Sequence, residues 1–399
     1  MSVTAAGGFD AGGIACGIKS SGAPDLAIVA TADRHPVAAA GVFTTNRVQA
    51  APVQVSQDHL GDGRAAAVVL NSGNANAATG ERGRADARRM CELTAQGLGC
   101  DAGDVLVCST GLIGVPMPMD AIEAGVPKLA GELRGDAIGA ATAADAILTT
   151  DTKRKEATEL VELGPGRVAR VGGMAKGAAM LAPSMATMLA VLTTDAAIEP
   201  LALGTMLTDA VDASFHELSV DGCTSTNDTV LLLANGAVGN EPVTEGHPAY
   251  SRLAAAVRRA CTILAQQMAF DAEGATKFVQ IAVQGAATRE DARRAARAVA
   301  ESQLVQCSLN GGDPYWGRVL SELGASGASF DPEAVEIAYG NVVVCRDGVA
   351  AEHDAVELAD VMRARSISVT CNLHAGEERA TMRTTDLSHA YIDENRRTS

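Results

Sequence analysis

The chain has 399 residues, of which 47% are apolar and 20% charged, a composition that suits one large soluble domain or two ordinary ones. Its net charge of −16 disfavours sequence-independent binding to nucleic acid, because such binding needs clustered cations that neutralise phosphates. The sequence has no apolar stretch of membrane-spanning length and no basic start followed by an apolar run, so we expect a cytoplasmic protein without a membrane partner.

The first half of the chain alternates short apolar runs with turns rich in Gly and Asn, which predicts buried β-strands. These strands are predicted at 26–30, 39–43, 65–70, 105–108 and 167–171. The block Asn71-Ser-Gly-Asn-Ala-Asn76 predicts a polar loop, and the spacing over 84–98 predicts a helix that ends at Gly99. The fourth strand runs directly into Ser109-Thr110-Gly111, which on its own is as typical of a plain turn as of a functional site.

The second half contains both apolar runs and longer segments with helical spacing. Helices are predicted at 201–217, 250–269 and 290–305, and strands at 188–192, 335–339, 342–345 and 366–371. Strands and helices in this irregular order favour α+β layers over a strictly alternating, doubly wound sheet. Nine scattered cysteines and seven histidines show no metal-ligand spacing, so we expect buried thiols in a reducing compartment and no metal site.

Thr187 stands between Ala186 and the apolar run 188–192. A threonine hydroxyl becomes an effective nucleophile when a base stands beside it, and a free α-amino group with a pKa of ~8 can be that base. Such an amine exists inside a chain only if the preceding peptide bond is cut. Considered alone, Thr187 is more typical of an ordinary β-branched residue at the start of a strand.

The segment Lys176-Gly-Ala-Ala-Met-Leu-Ala-Pro-Ser-Met-Ala-Thr187-Met-Leu-Ala, followed by Thr193-Thr-Asp195, resembles the processing-site signature of the ornithine acetyltransferase family. Seven further blocks resemble that family in the same order: Asn71-Ser-Gly-Asn-Ala-Asn76, Ser109-Thr-Gly-Leu-Ile-Gly114, Thr149-Thr-Asp-Thr152, Thr224-Ser-Thr-Asn-Asp228, Glu273-Gly-Ala-Thr-Lys277, Asp313-Pro-Tyr-Trp-Gly-Arg318 and Asp386-Leu-Ser-His-Ala-Tyr391. The chain departs from the family pattern at Ser184 and Tyr315, where Asn is usual, and in a tail shortened by one residue after Asn395.

The resemblance implies an α+β fold, an α/β layered sandwich of the N-terminal-nucleophile type shared by DmpA and ornithine acetyltransferases. It also implies self-cleavage, in which the Thr187 hydroxyl attacks the Ala186 carbonyl and water hydrolyses the resulting ester. Residues 1–186 would form the light α chain, and residues 187–399 the heavy β chain that begins with the nucleophile. The two chains are expected to interlock in one structural unit with a smaller C-terminal subdomain, and to assemble as two copies of each.

The implied activity is transfer of the acetyl group of N2-acetyl-L-ornithine to L-glutamate, with release of ornithine, in the cyclic pathway of arginine biosynthesis. Thr187 would carry the acetyl group, and Thr110 and Gly111 would stabilise the tetrahedral oxyanion. The residues that match the family's substrate-binding positions are Thr149, Lys176, Thr187, Glu273, Asn395 and either Ser399 or Thr398. Lys176 would meet the substrate carboxylate and Glu273 the ornithine ammonium. The resemblance requires no metal or other cofactor, and acetyl-CoA is a further candidate donor.

Two alternatives to this interpretation stay open at this point. An amidase or aminopeptidase could use the same self-generated threonine with water as the acceptor, and the related fold is shared with such hydrolases. Alternatively, the chain could be an unprocessed binding or scaffold protein, in which case it would stay intact on a denaturing gel.

The sequence predicts that the 40.6 kDa chain is purified as two pieces of 186 and 213 residues, roughly 19 and 22 kDa. The substitution Thr187→Ala removes the attacking hydroxyl, so we expect one uncut band on a denaturing gel and no acetyl transfer. Two bands from this variant would place the cut elsewhere.

Overall fold

The computed structural model describes residues 2–180 and 188–396. The chain divides into two compact units, the first made of the residues up to His216 together with Thr224–Met268. The second unit consists of Glu217–Cys223 and the residues from Ala269 onward. Both units combine helices and strands, which confirms the predicted α+β class.

In the first unit the strands are β1 (Phe9–Ile14), β2 (Leu26–Thr31), β3 (Val37–Phe43), β4 (Arg64–Ala65), β5 (Ala67–Asn74), β6 (Val105–Leu112), β7 (Lys155–Gly164), β8 (Arg167–Lys176), β9 (Leu189–Thr194) and β10 (Thr229–Ala234). The helices that begin in this unit are α1 (Ala51–His59), α2 (Gly80–Leu98), α3 (Met119–Ala130), α4 (Ala137–Ala146), α5 (Pro200–Asp212) and α6 (Tyr250–Phe270).

These strands form two sheets that face each other across an apolar core. One sheet has the order β1-β2-β5-β6, and the other has the order β4-β3-β10-β9-β8-β7. The core between them contains Val29 and Leu106 from the first sheet and Leu189 and Leu231 from the second, and all four are fully buried. Small and branched side chains fill this space because the chain has few aromatic residues.

Helices cover both sheets and complete a layered sandwich within the first unit. Met90 of α2 and Ile122 of α3 pack with Ile28 and Val69 on the outer face of the four-stranded sheet. On the six-stranded sheet, α5 packs against β3 and β10. The helix α6 lies against the same sheet, since a Cβ atom at Gly173 would come within 3.2 Å of Leu264.

The second unit is built on a single sheet with its own apolar core. Its elements in chain order are β11 (Phe278–Ala286), α7 (Arg289–Glu301), α8 (Gln303–Asn310), α9 (Trp316–Ala325), β12 (Glu336–Tyr339), β13 (Val342–Arg346), β14 (Val349–Ala350), α10 (Ala355–Arg363), β15 (Ser366–Asn372), β16 (Glu378–Thr385) and α11 (His389–Asn395). The strand order in the sheet is β14-β13-β12-β15-β11-β16.

Three strands of the first unit extend four or five residues beyond their predicted ends. The predicted loop at 71–76 was wrong for its first four residues, because β5 continues to Asn74 alongside β6. Likewise β6 contains Thr110 and Gly111, so this pair lies within a strand and not in a turn. The strand predicted at 167–171 continues through Gly172 to Lys176. A Cβ atom at position 172 would overlap the Ser2 carbonyl oxygen, so the strand needs a glycine there. That glycine serves close packing there.

Two predicted helices are shorter than their apolar spacing suggested. The segment 290–305 is two helices, because Ser302 has an extended backbone and its hydroxyl accepts from the Val305 N–H to cap α8. The helix predicted at 201–217 ends at Asp212. The predicted stop at Gly99 is confirmed by its left-handed φ of 77°. In the part of the chain that the structure describes, no helix is both long and apolar enough to cross a membrane.

The facing sheets make Leu231 a sensitive position for stability. We expect Leu231→Ala to lower the free energy of unfolding by about 3 kcal/mol, because it leaves a cavity in a core with no access to solvent. Chemical denaturation of the purified protein measures this difference. The matched control is Leu201→Ala on α5, where the side chain is 80% exposed. Equal losses in the two variants would contradict this assignment of the core.

Candidate active site

Three of the predicted site residues meet at one buried ammonium group in the first unit. Lys176 is the last residue of β8, and its side chain is only 2% exposed. Its Nζ donates to Thr149 Oγ1 at 2.7 Å and to Thr110 Oγ1 at 3.4 Å. The sequence alone left open a solvated surface charge for Lys176, and the burial excludes that interpretation.

Asp151 provides the negative charge beside this ammonium group. One of its carboxylate oxygens lies 3.7 Å from Lys176 Nζ, and the other lies 2.6 Å from the buried Lys155 Nζ. The carboxylate also accepts from the N–H groups of Gly177 at 2.7 Å and Thr149 at 3.1 Å. Burial alone would raise the pKa of Asp151, but the two ammonium groups outweigh it and hold that pKa well below its usual range.

Asp151 has no role in the activity predicted from the sequence, although it lies in the block Thr149-Thr-Asp-Thr152. Its spacing of four residues from Lys155 was the available signal, but such a pair is usually a solvated surface contact. The structure instead makes Asp151 the residue that fixes the position of Lys176 and of the Thr149 backbone.

Thr110 and Gly111 lie side by side at the end of β6, where this strand runs parallel to β5. Thr110 is paired with Ser72 and Gly111 with Gly73 in the strand register. Gly111 has a φ of 135°, and a Cβ atom at this position would overlap the carbonyl carbon of Gly73. Only glycine therefore allows the two strand ends to approach so closely.

A hydrogen-bonded framework of polar side chains holds this strand end in place. Ser109 Oγ donates to Asn71 Oδ1 at 2.6 Å, and Asn71 Nδ2 donates to the Asn74 carbonyl at 2.9 Å. Asn227 Nδ2 donates to the carbonyl oxygens of Ser109 and Ala75 at 2.8 and 2.6 Å. Three of the sequence blocks thus form one buried network, which makes the backbone around Thr110 rigid.

The predicted cut lies next to a well-anchored position. The Met188 N–H donates to Asp228 Oδ1 at 2.8 Å, and the Met188 carbonyl accepts from the Thr229 N–H at 3.1 Å. The predicted residues Ala186, Thr187, Thr398 and Ser399 lie outside the described residues. Their assigned roles therefore stay predictions. Met188, directly before β9, is held through both its backbone N–H and its carbonyl group.

In the second unit the structure brings Glu273 and Asn395 together. Asn395 Nδ2 donates to Glu273 Oε2 at 2.7 Å and to the Tyr391 carbonyl at 2.9 Å. Glu273 is 7% exposed. The close approach of α11 depends on Gly274, where a Cβ atom would overlap the Tyr391 nitrogen. Two predicted substrate-binding residues therefore share one hydrogen bond.

Asp386 connects the chain segments that carry this second pair. Its carboxylate accepts from the N–H groups of Thr276 at 2.8 Å and Lys277 at 2.7 Å, and from Asn310 Nδ2 at 2.7 Å. The two sequence blocks that begin at Glu273 and Asp386 are thus joined directly. The carboxylate fixes the loop between Glu273 and β11.

Cys108, which precedes the Ser109-Thr110-Gly111 block, has no properties of a nucleophile. Its side chain is 2% exposed, and burial raises the pKa of the thiol to about 12. The thiol is therefore protonated at neutral pH. Among residues 2–180 and 188–396, no group of three or more His, Cys, Asp or Glu side chains is arranged to hold a metal ion.

Comparison with known proteins gives matches that span nearly the whole chain. The model of the ArgJ family matches residues 10–398. The "Arginine biosynthesis bifunctional protein ArgJ" of Symbiobacterium thermophilum is 47% identical over 393 residues, covering 98% of this chain and 97% of that protein.

Two solved structures are also similar to this chain. The crystal structure of the arginine biosynthesis bifunctional protein argJ of Bacillus halodurans is 33% identical, with a TM-score of 0.50. It covers 51% of this chain and 96% of the solved chain, so the solved chain is about half as long as this one. The ornithine acetyltransferase of Mycobacterium tuberculosis, solved with ornithine, is 44% identical with a TM-score of 0.42, covering 47% of this chain and 96% of that chain.

The buried charges predict a large effect of Asp151→Asn on stability. An asparagine removes the negative charge beside two buried ammonium groups, so we expect the free energy of unfolding to fall by about 3 kcal/mol or more at neutral pH. Urea unfolding of the two proteins measures this difference. Folding lowers the pKa of Asp151, so the ionised carboxylate stabilises the folded state above the unfolded-state pKa of ~3.9. This stabilisation is lost as the pH falls through the lower pKa of the folded state. The difference between wild type and variant should therefore shrink in strong acid.

The control for this variant is Asp360→Asn, which removes an exposed carboxylate paired with Arg363 on α10. Exposed pairs contribute about 1 kcal/mol or less. A change at Asp151 as small as that at Asp360, or one independent of pH, would contradict the role given to the buried cluster.

Proposed function

The chain belongs to the ArgJ family, and on that premise we propose that it transfers the acetyl group of N2-acetyl-L-ornithine to L-glutamate in arginine biosynthesis. The enzyme is an acyltransferase that holds the acetyl group on Thr187 between two half-reactions. The observation that carries this proposal is the buried Lys176 ammonium, which contacts the hydroxyls of both Thr110 and Thr149.

The first half-reaction begins with the amino group that self-cleavage gives to Thr187. This amine takes the proton of the Thr187 hydroxyl, and the oxygen attacks the acetyl carbonyl of N-acetylornithine. Thr110 and Gly111 stabilise the oxyanion, on a strand end that the Asn71 and Asn227 networks hold rigid. Ornithine leaves, and the amine of glutamate then attacks the acetyl-threonine. The acetyl group travels on the protein, so the cycle requires no metal or other cofactor.

Recognition of the amino acid depends on groups of opposite charge. Lys176 binds the substrate carboxylate together with the Thr149 hydroxyl, and its burial strengthens this attraction. In the second unit, the Glu273 carboxylate receives the side-chain ammonium of ornithine, and Asn395 orients that carboxylate. A terminal hydroxyl from Ser399 or Thr398 completes the set.

The strand pairing supports a protein that stays assembled after the cut. Residues 1–186 contribute β3, β4, β7 and β8 to the six-stranded sheet, and residues 187–399 contribute β9 and β10. The backbone hydrogen bonds between β8 and β9 join the two pieces across the cut. A solved relative whose chain is about half as long as this one accords with a precursor cut near its middle. Two light and two heavy chains form the assembly.

Two further properties belong to this proposal. The similar protein of Symbiobacterium thermophilum is named bifunctional, and we include acetyl-CoA as a second acetyl donor to glutamate. The enzyme acts in the cytoplasm, where the reducing environment keeps thiols unpaired, and the nine cysteines of this chain are free in the structure.

The acetyl-enzyme is directly testable by intact-mass spectrometry. With N-acetylornithine alone, the piece that begins at Thr187 should gain the mass of one acetyl group, and added glutamate should remove it as N-acetylglutamate forms. Continuous release of ornithine without glutamate would instead indicate an amidase.

Thr110→Ala removes an oxyanion donor, so we expect cleavage and transfer to slow together by roughly a hundredfold. Unchanged rates would remove Thr110 from that role.

A further inference from the structure

We propose that Lys19 is a positioning residue for substrate recognition, which holds the loop residues Leu148 and Thr149 so that the Thr149 hydroxyl stays on the Lys176 ammonium. This inference rests on the proposed function and deepens it, because Lys176 and Thr149 are the pair that would bind the carboxylate of the amino-acid substrate. Lys19 has no role in the activity predicted from the sequence. Its role follows from contacts with segments that are distant along the chain.

The Lys19 ammonium joins two loops of the first unit. Its Nζ donates to the Pro24 carbonyl at 2.7 Å and to the Leu148 carbonyl at 2.6 Å. Leu148 directly precedes Thr149, whose Oγ1 accepts from Lys176 Nζ at 2.7 Å. Two lysines therefore hold adjacent residues of one loop, the first through a backbone carbonyl and the second through a side-chain hydroxyl.

The loop that carries Thr149 depends on such contacts for its conformation. It follows α4, and Leu148 and Thr149 belong to no helix or strand. Thr149 is exposed, so packing contributes little to its position. The Asp151 carboxylate accepts from the Thr149 N–H at 3.1 Å, and Lys19 holds the carbonyl of the preceding residue. Both sides of the peptide unit between Leu148 and Thr149 are thus fixed by charged groups.

Lys19 is itself held by a buried carboxylate. Asp25 is fully buried, and its two oxygens accept from the N–H groups of the four consecutive residues 16–19 at 2.7–3.2 Å. This network makes the backbone that carries Lys19 rigid. The ammonium group therefore loses little further freedom when it binds the loop.

The stem of Lys19 lies against the strand end that carries the predicted oxyanion pair. A Cβ atom at Gly73 would come within 3.0 Å of Lys19 Cγ, so a glycine leaves room for the stem. Gly73 is paired with Gly111 in the register of β5 and β6. One side chain thus contacts the strand end beside Gly111 and, through its ammonium group, the loop that carries Thr149.

The charge of Lys19 suits it to hold an exposed loop. A hydrogen bond from an ammonium group is roughly twice as strong as one between neutral groups. Burial lowers the pKa of the half-buried Lys19, the Asp25 carboxylate opposes this shift, and the Lys176 ammonium adds to it. The two ammonium groups are therefore near enough to interact, although each binds a different atom of the loop.

The variant Lys19→Met keeps the stem and removes the ammonium group. Steady-state kinetics of the cleaved protein with N-acetylornithine and glutamate measure its effect. We expect KM for both amino acids to rise roughly tenfold. We expect kcat to stay close to that of the wild type, because the lost contact serves binding in the ground state and the transition state alike. Lys19→Arg retains a cationic donor and should recover part of the loss.

A substrate without a carboxylate separates this role from a general disturbance of the site. N-acetyl-1,4-diaminobutane is N-acetylornithine without its carboxylate, so its binding does not depend on the position of Thr149. Its KM should be the same for the wild type and Lys19→Met. An equal rise in KM for both acetyl donors would contradict the proposed role.

A double-mutant cycle tests whether Lys19 acts through Thr149. Thr149→Ala removes the hydroxyl that the loop presents to Lys176. Adding Lys19→Met to Thr149→Ala should raise KM little further, because the two substitutions remove the same contact. If the two effects on KM multiply, Lys19 acts independently of Thr149 and the inference is wrong.

The matched control is Arg252→Met on α6. Arg252 is also a cation that donates to two backbone carbonyls of the first unit, those of Glu162 at 2.8 Å and Leu163 at 3.5 Å. These carbonyls lie at the end of β7 opposite to Lys155. We expect this variant to have the wild-type KM for both amino acids. Melting temperatures of all the variants measure any difference in folding.

Hydrogen exchange tests the structural part of the inference without any activity. A peptide that covers residues 147–150 should exchange faster in Lys19→Met than in the wild type or in Arg252→Met, whether or not the chain has been cut. Unchanged exchange of this peptide would show that Lys19 does not hold the loop, and would overturn its role.

The outcomes distinguish this inference from the function on which it rests. A wild-type protein that releases no ornithine from N-acetylornithine would overturn the proposed function, and with it the recognition that Lys19 serves. An active wild type, with an unchanged KM for N-acetylornithine in Lys19→Met, would overturn the role of Lys19 alone.

Discussion

The pairing of β9 on both sides is the constraint on which the rest of this account depends. β9 is antiparallel to β8 and parallel to β10, and every one of its residues is buried. The proposed cut before Thr187 would leave the new terminus two residues before this anchored strand begins. The sheet would thus supply the positional precision that the proposed reaction between a terminal amine and its own hydroxyl requires.

Buried charge is the second element of the design. Lys176, Lys155 and Asp151 are almost entirely inaccessible, so their removal from water has already been compensated during folding. In the proposed binding mode, a substrate carboxylate would meet an ammonium group that needs no further desolvation or ordering. The same burial raises the pKa of Asp228, whereas the two ammonium groups lower the pKa of Asp151.

Apolar runs predicted much of the fold because β2, β6 and β9 are buried on both faces, a state that leaves a continuous hydrophobic pattern. The strand β7 was missed because its residues alternate between buried and exposed, with charged side chains on the open face. The motifs located Thr110, Thr149 and Lys176, and the structure brought them together. Asp151 and Asp228 could not be recognised as special, because burial and the contacts of one carboxylate depend on distant segments.

Amino-terminal sequencing of the purified protein tests the central claim most directly. We predict two sequences in equal amounts, one from the start of the chain and one that reads Thr187, Met188, Leu189. The second sequence would place the new amine on the residue that precedes β9. A single sequence from an enzyme that nonetheless transfers acetyl groups would contradict the account.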